Sequence, residues 1–248
     1  MRVIAKLDVK PPYVVKPVHF EGLRKMGLPA DLARKYYQQG ADEIFYVDIV
    51  ASLYRREILF EAIMETAQQM FVPFAVGGGV RSIEDMSRLF HCGADKVVIN
   101  TYALQQEPGL IDQAARMFGA QSVVVSVEAK RWDGWWECFS DCGRERSGKD
   151  VLAWVREASE RGAGELLIQS VDHDGRQDGF DVELIKQVKD VVSIPVVAAS
   201  GAGNLNHIVE LAREAKPDAI ALASLLHYDY SDIAAVKDKL NADELRRQ

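Results

Sequence analysis

The sequence predicts an α/β fold, a (β/α)8 TIM barrel built from two fused half-barrels, as one domain over residues 1–248. Three observations carry that expectation. Short apolar runs alternate with longer stretches of helical period along the whole chain, the pattern of a parallel sheet covered by helices. Eight such runs occur, and eight parallel strands close into a barrel more readily than they lie open. The second half also repeats the first. Gly40-Ala41-Asp42-Glu43 returns as Gly162-Ala163-Gly164-Glu165 at an offset of 122 residues; Pro73 and Gly79 return as Pro195 and Gly201 at the same offset, and Asp95 as Asp218 at 123.

Taken in order, the first strand is expected over 3–9, where Leu7-Asp8-Val9-Lys10 closes an apolar run with a carboxylate and a lysine. A helix is expected over 29–39, its apolar residues recurring at three and four, with Gly40 as its left-handed cap. The second strand, 43–49, leads to a helix over 59–70. The third, 74–76, runs into Gly77-Gly78-Gly79 and a helix starting near Ser82. Gly93 ends that helix before the fourth strand, 96–100. The fifth, 122–128, echoes the first: Val125-Ser126-Val127-Glu128-Ala129-Lys130 places Glu128 120 residues after Asp8. Gly162 precedes the sixth strand, 165–171. The seventh, 196–199, meets Gly201-Ala202-Gly203 and a helix near Asn204, and the eighth is 219–223.

Composition narrows the function classes. A net charge of -7 argues against nucleic acid as the main partner, since phosphate backbones select basic faces. The longest apolar runs, such as 191–199, are about half the roughly 20 residues a membrane span needs, and the N-terminus lacks the apolar core of a signal peptide. A cytoplasmic protein with no membrane partner is expected. Cys92, Cys138 and Cys142 lack zinc-like spacing, so free thiols are the default, with a Cys138–Cys142 pair across a turn as the alternative. His19, His91, His173, His207 and His227 show no ligand spacing either, so no metal and no cofactor is expected.

In such a barrel the chemistry lies at the C-terminal ends of the strands. Asp8 and Glu128 end the first and fifth strands and face each other across the mouth, a candidate acid/base pair. The plain alternative is that each caps its loop or pairs with Lys10 or Lys130. The glycine runs ending at Gly79 and at Gly201 precede helices, where backbone N–H groups can approach a phosphate; each is otherwise a tight turn. Their symmetry suggests two anion sites on opposite sides of one mouth. Asn100 and Thr101 would complete the first, and Ala223 and Ser224 the second, with Asp174 and Gly175 in a turn beside it. Lys16, after the first strand, is placed either to close over a ligand or to stand in solvent.

At the opposite end Arg2, Glu43, Lys96 and Glu165 stand at strand starts and converge as two positive and two negative charges. Such a ring blocks the axis and opens with a small movement, or else merely plugs the floor. Trp132, Trp135, Trp136 and Phe139 form an aromatic cluster in a hairpin flap after the fifth strand, set to cover the mouth or to pack on neighbouring loops.

Several of these stretches resemble one family: Leu7-Asp8-Val9-Lys10, Val14-Val15-Lys16, Gly77-Gly78-Gly79-Val80-Arg81, Gly93-Ala94-Asp95-Lys96, Asn100-Thr101, Gly162-Ala163-Gly164-Glu165 and Ser170-Val171-Asp172-His173-Asp174-Gly175. They are similar to the cyclase subunit of imidazole glycerol phosphate synthase, from Arg2 to about Tyr228. The resemblance implies a glutaminase subunit docked on the barrel floor. It also implies ammonia passing a gate of Arg2, Glu43, Lys96 and Glu165 to reach the mouth. There a ribulosyl formimino bisphosphate would become imidazole glycerol phosphate and an aminoimidazole carboxamide ribotide. Asp8 takes the acid/base role by resemblance, and Gly79, Asn100, Thr101, Asp174, Gly175, Gly201 and Ser224 the phosphate sites.

The mouth departs from the family pattern. Glu128 replaces a catalytic aspartate, and its extra methylene moves the carboxylate by about a bond length, where misplacement by about 1 Å can cost 100-fold. Pro11-Pro12 replaces a flexible Asp-Gly, Gln169 a threonine, and Ala199-Ser200-Gly201 a Ser-Gly-Gly. An intact gate with an altered substrate end resembles a paralogous branch. That branch works with a glutaminase and a separate sugar amidotransferase to form acetamidino groups on bacterial surface polysaccharides. The stretches His19-Phe20-Glu21-Gly22-Leu23-Arg24 and Ala51-Ser52-Leu53-Tyr54, with Ser126 to Lys130, look like that branch. The reading expected is therefore this specialised, lipopolysaccharide-directed subunit, with the histidine-pathway cyclase as the alternative.

Overall fold

The computed structural model describes residues 1–18, 21–54 and 57–245. The first strand, β1 (Arg2–Lys10), turns at Pro11 and Pro12 into an antiparallel hairpin, β2 (Tyr13–Val18) and β3 (Glu21–Gly27). Then follow α1 (Pro29–Gln38), β4 (Glu43–Asp48), α2 (Phe60–Ala67), β5 (Phe74–Gly77), α3 (Ile83–His91), β6 (Lys96–Ile99), α4 (Thr101–Gln105) and α5 (Gly109–Phe118). The second half opens with a meander, β7 (Val123–Trp132), β8 (Trp135–Ser140) and β9 (Glu145–Asp150). It continues through α6 (Val151–Glu160), β10 (Glu165–Ser170), α7 (Val182–Val191), β11 (Val196–Ala199), α8 (Leu205–Glu214), β12 (Ala219–Leu222), α9 (Ser224–His227) and α10 (Ile233–Leu245).

Eight of these strands run parallel in the order β10-β11-β12-β1-β4-β5-β6-β7, and the pairing of β7 with β10 closes the ring. Each lies where an apolar run predicted it, with boundaries displaced by a few residues. The predicted helix over 59–70 is shorter, and Gly40, Gly93 and Gly162 take positive φ at their helix ends as expected. The antiparallel arms on β1 and β7 were not predicted apart from the flap; their short strands, such as Tyr13–Val18 and Glu145–Asp150, mix apolar and charged residues or are largely polar, without the longer apolar run of a barrel strand.

Period-two alternation sets which residues face the axis. On β1, Val3, Ala5, Leu7 and Val9 join the large core between barrel and helices, whereas Ile4 belongs to a separate inner cluster. On β7, Val123, Val125, Val127 and Ala129 face the helices, and Val124 joins Ile4 inside. Phe45, Ala75, Val98, Leu167, Val197, Ala219 and Ala221 complete this inner layer. The same alternation carries Lys6 and Asp8 on β1, and Ser126 and Glu128 on β7, to the inside above that layer.

The aromatic cluster divides. Trp136 is buried in the outer core, and its indole N–H donates to Asp181 Oδ2 at 2.9 Å, so it anchors the meander to α7. Trp132 is exposed, with Arg146 stacked over its ring. The flap reaches the mouth through its other end, the β8–β9 turn at Asp141, Cys142 and Gly143, and not through the tryptophans. Cys92, Cys138 and Cys142 are free thiols. Of the stretch His19 to Arg24, residues 19 and 20 lie outside the described residues. Among the described residues no helix is long and apolar enough to cross a membrane, and no His/Cys/Asp/Glu group is placed to hold a metal.

Candidate active site

Two cavities open at the C-terminal ends of the strands and divide the predicted residues between them. The larger, about 490 Å³, is lined by Gly79, Asn100, Thr101 and Glu128. The smaller, about 20 Å³, is lined by Asp8, Lys16, Asp174, Gly175, Gly201 and Ser224. The predicted residues thus fall into two groups at the mouth, around cavities of unequal size.

Asp8 is almost wholly buried. Its Oδ1 accepts from the Lys6 ammonium, while Oδ2 makes no hydrogen bond and lies 3.8 Å from Lys16 Nζ. Burial pushes the Asp8 carboxyl up, yet the charges of Lys6 and Lys16 outweigh burial and hold it below its ordinary value. Glu128 has a different environment. Asn100 Nδ2 donates to its Oε1 at 2.8 Å and the Gly143 N–H to its Oε2 at 2.7 Å. Burial dominates there and pushes its pKa up to about 7. The pairings with Lys10 and Lys130, considered as the plain alternative, are not the ones formed.

Lys16 is not the solvated residue that one reading allowed. It sits on β2, is buried, and donates to Asp174 Oδ1 at 3.0 Å, inside the smaller cavity. Gly201 stands there with φ +100°, and a Cβ at this position would collide with the Gly179 carbonyl oxygen. The turn therefore requires glycine, which leaves the backbone open toward Ser224 and Asp174.

At the other end of the barrel the four charges form a closed ring. Arg2 bonds Glu43 at 2.5 Å and also bonds Glu165; Lys96 Nζ lies 2.8 Å from a carboxylate oxygen of each glutamate. The inner apolar layer separates this floor from the mouth.

Lys6 escaped the sequence reading, although it lines both cavities. Its signal was a charge two residues before Asp8, hence on the same face of a strand otherwise apolar to that point. Gln169 Nε2 donates to Ser126 Oγ at 2.9 Å in the same part of the lumen. Asp141 to Gly143 carried no signal, because only the fold of the meander brings them back to Glu128.

The chain is thus a closed (β/α)8 barrel with two unlike carboxylates at its mouth and a ring of paired charges on its floor. The chain belongs to the family described as histidine biosynthesis protein, which matches residues 2–232. Its relatives include proteins named imidazole glycerol phosphate synthase subunit HisF. That of Legionella pneumophila is 52% identical over 206 residues, covering 83% of this chain and 97% of that protein. The Bifidobacterium adolescentis protein is 46% identical over 248 residues, at 98% and 96% coverage. The Myxococcus xanthus protein is 43% identical over 244 residues, also at 98% and 96%. These names match the alternative reading of the sequence, and none of them supports the polysaccharide specialisation.

Proposed function

We propose that the chain is an ammonia-using cyclase subunit of imidazole glycerol phosphate synthase, soluble in the cytoplasm and folded as one domain. Its substrate is the ribulosyl formimino bisphosphate, and its products are imidazole glycerol phosphate and an aminoimidazole carboxamide ribotide. The observation that carries this reading is the contrast between Asp8 and Glu128. Adding ammonia to a carbonyl carbon requires a base to remove a proton from nitrogen and an acid to protonate the departing oxygen. Asp8, charged and with Oδ2 free of hydrogen bonds, suits the first role. Glu128, with a pKa near 7, suits the second. The phosphates would rest on Gly79, Asn100 and Thr101 at one end and on Gly175, Gly201 and Ser224 at the other, with Lys16 leaving Asp174 to meet the second phosphate.

A glutaminase partner, docked on the floor, would deliver ammonia past Arg2, Glu43, Lys96 and Glu165 and through the apolar layer, which excludes water and ions. No cofactor is needed for this chemistry.

One observation favours a second reading, an ammonia-conducting subunit with altered chemistry at its mouth. Both oxygens of Glu128 are already hydrogen-bonded, and Lys16 lines the smaller cavity with its ammonium held by Asp174. An assay with ammonium salt and the ribulosyl formimino substrate decides between the two. Robust turnover, abolished in Asp8→Asn, establishes the cyclase. Absence of turnover by the intact chain leaves the conduit.

A further inference from the structure

The lysine between the two cavities has no role in the reading above. Lys6 is 4% exposed, lies on the inner face of β1 and is the one cation lining both cavities among the described residues. Its ammonium bonds Oδ1 of Asp8 and leaves Oδ2 without a hydrogen bond. Lys16, the other cation near Asp8, is engaged with Asp174 at 3.0 Å and stands 3.8 Å from Oδ2, so it is a looser partner. A buried carboxylate whose two oxygens are treated so differently has a defined orientation as well as a charge.

We infer that Lys6 is a positioning residue for the acid/base pair: it clamps one oxygen of Asp8, presents the other to the substrate, and keeps that carboxylate ionised when a phosphate draws Lys16 away. This rests on the cyclase reading for its chemistry, though the clamp itself is a property of the chain. The groups around Asp8 are few. Lys16 reaches it from β2, Asp174 stands beyond Lys16 in the loop after β10, and His227 approaches from α9 behind β1. The neighbouring strand β4 contributes Asp48 to the larger cavity, where Glu128 enters from β7. The facing residues Ala219 and Ala221 of β12, and Ala223 just after it, bring no charge.

The clamp separates two roles that a plain counter-charge would not. A glutamine at position 6 keeps an N–H donor for Oδ1 without the charge. Methionine keeps neither, and arginine keeps both.

The test is a carboxyl-carbon NMR titration of the intact chain, with Asp8→Asn assigning the signal, combined with a pH profile of ammonia-dependent kcat at constant free ammonia. In Lys6→Gln the Asp8 midpoint is expected to rise by about 1–3 units, the usual effect of losing an adjacent opposite charge. The acid limb of kcat should move with it while KM for the bisphosphate changes less than kcat. Lys6→Met, which also removes the hydrogen bond to Oδ1, should shift the midpoint at least as far with a larger loss of kcat, and Lys6→Arg should restore both. Lys16→Met should move the Asp8 midpoint less than Lys6→Gln. An Asp8 midpoint unchanged in Lys6→Gln, or moved further by Lys16→Met, overturns the inference. Should Lys6→Met not fold, the glutamine and arginine variants still decide. If the intact chain shows no turnover, the cyclase reading fails, yet the titration alone still confirms or refutes the clamp.

Discussion

At the scale of single residues, the two carboxylates expected as a symmetric pair are made unlike by their neighbours. Asp8→Asn should lower ammonia-dependent turnover by about 10²–10⁴ with the fold retained by circular dichroism, the range typical of a lost general base. Glu128 also leaves a trace in stability. Its folded pKa of about 7 lies above the ordinary 4.5, so the folded state holds a proton that the unfolded state releases. Its favourable contribution is complete below about pH 4.5 and is lost as pH rises through about 7. Denaturant unfolding of the wild type should therefore weaken by up to about 3 kcal/mol across that window, and Glu128→Gln should flatten the slope. The position and charge of both acids were legible in the sequence. The difference in their surroundings was not, since Glu128 is held by Asn100 and Gly143 and Asp8 is approached by Lys16, all of which lie outside the strands that carry the two acids.

At the scale of elements, the strand starts and strand ends carry different duties. The floor was readable because four strands begin with a charged residue, and strand starts converge once the sheet closes. Lys96→Ala should strip a cation from Glu43 and Glu165, both buried, at a cost of about 3 kcal/mol read from the denaturation midpoint. In the complex with a glutaminase the same change should reduce glutamine-driven turnover, while turnover on added ammonium salt persists. Gly201→Ala tests the smaller anion site. Forcing a side chain to φ +100° against the Gly179 carbonyl should cost at least about 1–2 kcal/mol and weaken phosphate protection of the chain in thermal unfolding. The meander resisted sequence reading for a physical reason. Its aromatic residues were set either to cover the mouth or to pack on neighbouring loops; Trp136 does the latter, held by Asp181 on α7's N-terminal side, and the turn at Asp141 to Gly143 makes the contact with the mouth.

At the scale of the whole molecule, floor and mouth are joined only through the inner layer of Ile4, Phe45, Ala75, Val98, Val124, Leu167, Val197, Ala219 and Ala221 and its neighbours. The small residues of this layer are where a passage for ammonia would run. Ala219→Leu should fill it, lowering glutamine-driven turnover much more than ammonium-driven turnover, with an overpacking cost of about 1–3 kcal/mol in chemical denaturation. By itself the sequence determined the barrel, its repeat, the two ends and most of the residues at each. These follow from local periodicity and from the rule that strand ends converge, which need no knowledge of distances. Tertiary structure alone decided that Lys16 is buried against Asp174 and that the β8–β9 turn holds Glu128, whereas the shared face of Lys6 and Asp8 followed from strand alternation. The Lys16–Asp174 and Gly143–Glu128 contacts join residues 158 and 15 positions apart, which periodicity cannot bring together; protonation states depend on such distances in space.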